Sequence, residues 1–200
     1  MQEKLKIRKI PEQDRSKATL SAIKSSASML FEKEGIDNIS MTQIANKAGM
    51  SKPAIYRYFP NKQALIRALA EDAFDYYREQ IQNKLDWNNK SPTVLLLEGV
   101  TEYCNIHLKE PFRIQLRAAI NADPELSRLD YEDSLENAKV IANYLRHSFP
   151  NQPFDKLELR ALLITGLSDS LLRLVYRADE SNRPKIIWEF VKRFSEDITG

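Results

Sequence analysis

The chain has little of what cross-links or interrupts a fold. A single cysteine, Cys104, excludes an internal disulfide and fits a reducing compartment. There are only 5 glycines and 9 prolines in 200 residues, where average usage would give roughly 24 of the two together. So few turn formers imply long elements. No strictly apolar run exceeds four residues, as at Val94–Leu97. A membrane-spanning helix needs roughly 20, so none is expected. The basic start (Lys4, Lys6, Arg8, Lys9) is not followed by an apolar stretch, so no secretory signal is expected and the predicted location is the cytoplasm. Apolar residues are not scarce: at 42%, with 29% charged, they exclude a mainly disordered chain.

The net charge of +2 hides an asymmetry. Residues 1–70 carry 13 basic and 6 acidic side chains, a net +7, which leaves −5 for the remainder. A basic first third suggests a polyanion-binding head on a body with another task. The prolines stand where helices start or stop, and the apolar spacing between them is helical, with no strand-like alternation. Leu20, Ile23, Ala27, Leu30 and Phe31 form one face of a first helix ending near Gly35. Further helices are predicted at about 41–47, 52–59, 62–85, 92–109, 111–122, 127–149, 155–177 and 184–198. The fold class is all-α with about nine helices.

One motif stands out. Residues 35–62 read GIDNISMTQIANKAGMSKPAIYRYFPNK. Ser40 can cap a short helix with Ile44 and Ala45 inward, and Gly49 sits where a tight turn needs positive φ. Ser51 can cap a second short helix that tolerates Pro53 in its first turn. Ile55 and Phe59 face inward, leaving Lys52, Ala54, Tyr56, Arg57 and Tyr58 outside. Helices this short need a third behind them, which the Leu20–Phe31 face supplies. The product is a helix-turn-helix head that offers its second short helix by the N-terminal end, as major-groove readers do. A purely structural hairpin would not explain two exposed tyrosines and an arginine in one turn, nor the basic surplus.

Residues 16–69 resemble the DNA-binding head of the TetR/AcrR (tetracycline-repressor) family of bacterial regulators. The resemblance rests on Leu30-Phe31…Gly35, Met41-Thr42-Gln43-Ile44-Ala45, Ala48-Gly49-Met50-Ser51, Ile55-Tyr56-Arg57-Tyr58-Phe59, Asn61-Lys62 and Ala64-Leu65. It implies that Thr42, Lys52, Pro53, Ala54 and Tyr56 meet base edges or the adjacent backbone, and Gln43 is a further DNA-binding candidate. It implies that Arg57, Tyr58 and Lys62 hold phosphates. Many relatives carry arginine where this chain has Thr42, and threonine cannot make a bidentate contact to guanine. The expected layout is a flexible arm over 1–15, a helix-turn-helix domain over 16–61, and a ligand-binding and dimerisation domain over 62–200, with helix 62–85 connecting them. A minor-groove role for the arm is the alternative.

In the body, helix 155–177 is apolar on more than one side, which calls for a second cover besides its own core. The resemblance implies a dimer interface from the last two helices, with Leu167, Leu171, Leu174, Trp188 and Val191 as candidates; a fully internal pair in a monomer is the alternative. Tyr103, Phe112 and Arg117 are candidate pocket residues for a small, mainly hydrophobic effector. Cys104 and His107 share a helical face, but zinc usually needs three or four ligands and the other histidine is His147, so no metal or cofactor is expected. No catalytic constellation stands out, so an enzyme is not expected. The predicted partners are an operator duplex, a small molecule and a second copy of the chain. A helical protein-interaction module and a tethered enzyme are the competing readings.

Overall fold

The computed structural model describes residues 14–86 and 89–199. Most of the expected arm, 1–13, lies outside them. Among the described residues there are nine α-helices and a short 3-10 turn, Glu180–Asn182. The helices are α1 (Asp14–Glu34), α2 (Met41–Lys47), α3 (Lys52–Tyr58), α4 (Lys62–Lys84), α5 (Pro92–Lys109), α6 (Phe112–Ala122), α7 (Pro124–Ser148), α8 (Phe154–Arg177) and α9 (Arg183–Thr199). Among these residues no helix is long and apolar enough to cross a membrane. The clearest boundary difference is α7, which starts three residues before the expected position. Asp123 explains it: its carboxylate accepts from the backbone N–H groups of Glu125 (2.9 Å) and Leu126 (3.0 Å), and Pro124 is tolerated in the first turn.

The chain divides into two compact units. The first holds the described residues to Ala73 together with Glu110–Leu126. Its core joins Ile23, Ala27 and Phe31 of α1 to Ile44 and Ala45 of α2, Ile55 of α3, Phe59, and Ala64 and Leu65 of α4, all fully buried. A boundary at 61/62 would leave α6 out of this unit, yet α6 packs on α1. Phe112 stacks on Phe31 with ring centroids 6.2 Å apart, and Leu116 and Ile120 extend the same buried face. Around this core Lys24 pairs with Asp72 at 2.7 Å, and Arg67 bridges Glu71 and Glu125 at 2.9 and 2.8 Å.

The second unit holds the rest of α4, α5, most of α7, α8 and α9. It contains two apolar clusters. One joins Val100 and Cys104 of α5, Leu171, Leu172 and Val175 of α8, and Ile187 and Val191 of α9. The other joins Ala138, Ala142 and Leu145 of α7 to Leu157 and Ala161 of α8, where alanines let the two axes approach closely. Tyr144 donates its hydroxyl to the Lys90 carbonyl at 2.7 Å. Asp133 bonds Arg78 and Asn137, and its carboxyl is held above the usual range by burial, which the Arg78 charge only partly opposes.

Candidate nucleic-acid interface

The helix-turn-helix is built from local chemistry. Ser40 closes a capping box with Gln43: the Gln43 N–H donates to the Ser40 hydroxyl (3.3 Å) and the Ser40 N–H to the Gln43 side-chain carbonyl (2.9 Å). Helix α2 ends in a turn with Gly49 at φ 67°, in which the Met50 N–H returns to the Ala45 carbonyl at 2.9 Å. Ser51 precedes α3 in extended backbone but makes no side-chain cap bond; only its carbonyl accepts, from Ala54 and Ile55. Met41, Ile44, Ala45, Ile55 and Phe59 are buried. Gln43, Lys52, Pro53 and Arg57 are exposed, and Thr42, Ala54, Tyr56 and Tyr58 are half-buried. The residues expected to meet DNA thus lie on or beside one short outward surface, α3 and the start of α2.

No acidic residue occurs between Asp37 and Glu71, a stretch that carries Lys47, Lys52, Arg57, Lys62 and Arg67. Arg67 is paired with two glutamates. Lys62, expected to hold a phosphate, donates instead to the carbonyls of Ile36 (2.9 Å), Asp37 (3.3 Å) and Ile39 (3.2 Å). Lys47, Lys52 and Arg57 are exposed and make no ion pair among the described residues. Three cations without counter-charges among the described residues, beside Tyr56 and Tyr58, which are half-buried and not exposed as expected, suit a polyanion. Lys47 was not among the residues singled out from sequence; the acid-free stretch is the signal that finds it.

The other candidate residues belong to different units. Tyr103 belongs to the second unit, Phe112 and Arg117 to the first. Tyr103 packs with His107 and Tyr77, with centroids 4.4 Å apart for Tyr103–His107 and 4.7 Å for Tyr77–His107. The His107 Nδ1 lies 2.8 Å from the Tyr103 carbonyl. Burial pushes the Cys104 thiol up to about 12, so at neutral pH it is a small apolar group and not a thiolate ligand. No group of three or more His, Cys, Asp or Glu positioned for a metal occurs among the described residues. An open recess of about 300 Å³ in the second unit is lined by Arg78, Glu136, Asn137, Lys139 and Val140.

Leu171 and Val191, expected at a dimer interface, are instead inside the second unit's own core. Leu167, Leu174 and Trp188 are exposed, and two leucines of the same helix that were not among the interface candidates join them. Along one face of α8, Leu159 is 62% exposed, Leu163 54%, Leu167 43% and Leu174 61%, with Trp188 of α9 at 45%.

Comparison with known proteins gives a consistent result. The family model described as "Bacterial regulatory proteins, tetR family" matches residues 23–69. A second, "Tetracyclin repressor-like, C-terminal domain", matches residues 91–195. The HTH-type transcriptional regulator YvdT of Bacillus subtilis (strain 168) is 35% identical over 66 residues, 33% of this chain and 34% of that protein's length. The nucleoid occlusion factor SlmA of Aliivibrio fischeri (strain MJ11) is 26% identical over 170 residues, 79% of this chain and 83% of its own. A crystal structure of a tetR-family transcriptional regulator from Mesorhizobium loti superposes with a TM-score of 0.73 at 21% identity, covering 92% of this chain and 98% of that one.

Proposed function

The chain belongs to the TetR family of bacterial regulatory proteins, and on that premise we propose that it is a repressor, released from a palindromic operator by a small organic molecule. As a member of that family it is a ligand-responsive, DNA-binding transcriptional regulator. The observation that carries the DNA reading is the acid-free surface of α2 and α3, with Lys47, Lys52 and Arg57 exposed around Tyr56 and Tyr58. Lys52, at the first position of α3, is the candidate for base edges, and Arg57 and Lys47 for phosphates.

One seven-residue helix reads too few bases to specify a site, so two heads are needed. The second copy is assigned to the leucine face of α8 with Trp188. Exposed large apolar side chains in a row are a surface that asks for cover, and a twofold contact needs only this one patch. The effector site is assigned to the second unit, and α4, whose residues are shared between the units, would carry the response. On this proposal the protein binds without catalysing and works in the cytoplasm, where its operator lies.

The test is selection of bound genomic fragments, followed by titration of the recovered operator at several salt concentrations. A dimer that binds with a steep salt dependence, and prefers the operator over random duplex by at least about a thousandfold, is the expected outcome. Salt-insensitive association would favour a protein partner and sink the reading. Calorimetry with a candidate effector, with and without operator, then tests release: the two ligands must weaken each other by the same factor.

A further inference from the structure

Lys62 occupies the first position of α4. That is the wrong end for a cation, because the helix dipole places partial positive charge there. Its ammonium has three N–H donors and no acceptor, and three backbone carbonyls surround it: Ile36 at 2.9 Å, Asp37 at 3.3 Å and Ile39 at 3.2 Å. Every donor is committed within the protein. The accepting segment is itself held at both ends. Gly35 opens it at φ 84°, the Asn38 amide donates to the Glu34 carbonyl at 2.7 Å, and the Ser40–Gln43 capping box closes it into α2. Lys62 in turn follows α3 by four residues, just after Asn61, whose side-chain carbonyl accepts from the Ala64 N–H at 2.8 Å. The cation therefore joins the chain leading into α2 to the chain leaving α3, and closes the base of the helix-turn-helix.

We propose that Lys62 is a positioning residue for DNA recognition: its charge holds α2 and α3 at a fixed angle to α4 and does not contact a phosphate. The inference rests on the DNA-binding reading above, but it assigns this cation to the inside of the head. Hydrogen bonds from an ionised donor are the strong ones, and three converging on a single nitrogen define a point in space. Arginine cannot take this place, because its planar fork spreads donors over three nitrogens. A phosphate, by contrast, accepts arginine at least as well as lysine.

The experiment compares Lys62→Met, Lys62→Arg and wild type by operator and random-duplex titration over a salt series. In parallel, amide hydrogen exchange is followed over residues 36–40 without DNA. Lys62→Met keeps the methylene stem and loses the charge. The expected result for both variants is a loss of operator affinity of about tenfold, on the scale of one lost base contact, with random-duplex affinity nearly unchanged. The slope of log affinity against log salt stays as in wild type, and exchange speeds up over 36–40 while α1 and α4 stay protected. A slope reduced by about 1 in Lys62→Met, with full rescue by Lys62→Arg and unchanged exchange, would make Lys62 a phosphate contact and overturn the proposal. Global loss of protection would overturn it too, as a purely structural role. Failure of the DNA reading shows separately, as wild-type protein that binds neither duplex.

Discussion

Ser40 and Ser51 each precede a seven-residue helix, but only Ser40 caps one through its side chain. The third residue of α2 is Gln43, which can answer the serine and close the box. The third residue of α3 is Ala54, which cannot, and the second is Pro53, which has no N–H to donate. Position and residue type gave the two serines equal standing in sequence; the neighbours decide between them. Ser40→Ala should therefore lower the stability of the chain by about 1 kcal/mol, while Ser51→Ala stays within about 0.5 kcal/mol of wild type. Urea denaturation measures both, and equal losses would mean that Ser51 caps α3 after all. Gly49 is a cleaner case. A Cβ there would meet nothing within 4 Å, yet φ is 67°, so Gly49→Ala should cost about 1 kcal/mol from the backbone alone. A neutral result in the same assay would mean the turn relaxes out of the left-handed region. Lys62 shows where residue-level reading stops: its motif position suggested a phosphate, and only the folded loop reveals the carbonyls that occupy it.

At the scale of elements, helical spacing placed all nine helices closely, because proline and capping side chains mark their ends. For α1, α2 and α3 it also gave the inward face, but for α8 it could not. In α8 both stripes are rich in leucine. Leu157, Ala161, Ile164, Leu171 and Val175 are buried, while Leu159, Leu163, Leu167 and Leu174 are exposed. The choice depends on α5, α7 and α9, which cover one side, and no local pattern encodes that. The two faces should answer mutation differently. Leu171→Ala opens a cavity in the unit's own core and should cost about 2–5 kcal/mol at every protein concentration. If a second copy covers the α8 face as proposed, Leu163→Ala removes shared cover, so its cost should shrink on dilution, as dimer-linked stability does. Thermal denaturation over a hundredfold concentration range separates them; concentration dependence in neither variant, nor in wild type, would place no partner on α8. The same limit applies to α6. Its amphipathic pattern is plain in sequence, but its packing on α1 through Phe112 rests on a long-range contact with Phe31, 81 residues earlier in the chain.

In the whole molecule, charge distribution and a proposed twofold pairing act on DNA binding together. A head region of net +7 joined to a remainder of −5 is drawn to a duplex with the head foremost, since the acidic part is repelled. A single head then contacts few phosphates and few bases. Two heads joined through the proposed α8 contact would meet twice as many, and the second would bind at the effective concentration set by the first. Breaking the dimer without unfolding the subunit should expose this arithmetic. Leu163→Glu puts a charge on a face that is already exposed, so the helical content should be kept and sedimentation should report a monomer. The slope of log affinity against log salt should fall to about half the wild-type value, because half the phosphates are neutralised. Operator preference should collapse toward the random-duplex level, because one half-site no longer recruits the other. Leu171→Glu is the control that must fail differently: a charge forced among Val100, Cys104 and Val191 has no partner there and should unfold the second unit. If Leu163→Glu sediments as a monomer yet keeps wild-type operator affinity and an undiminished slope, recognition is complete in one head and the α8 face serves something other than DNA binding.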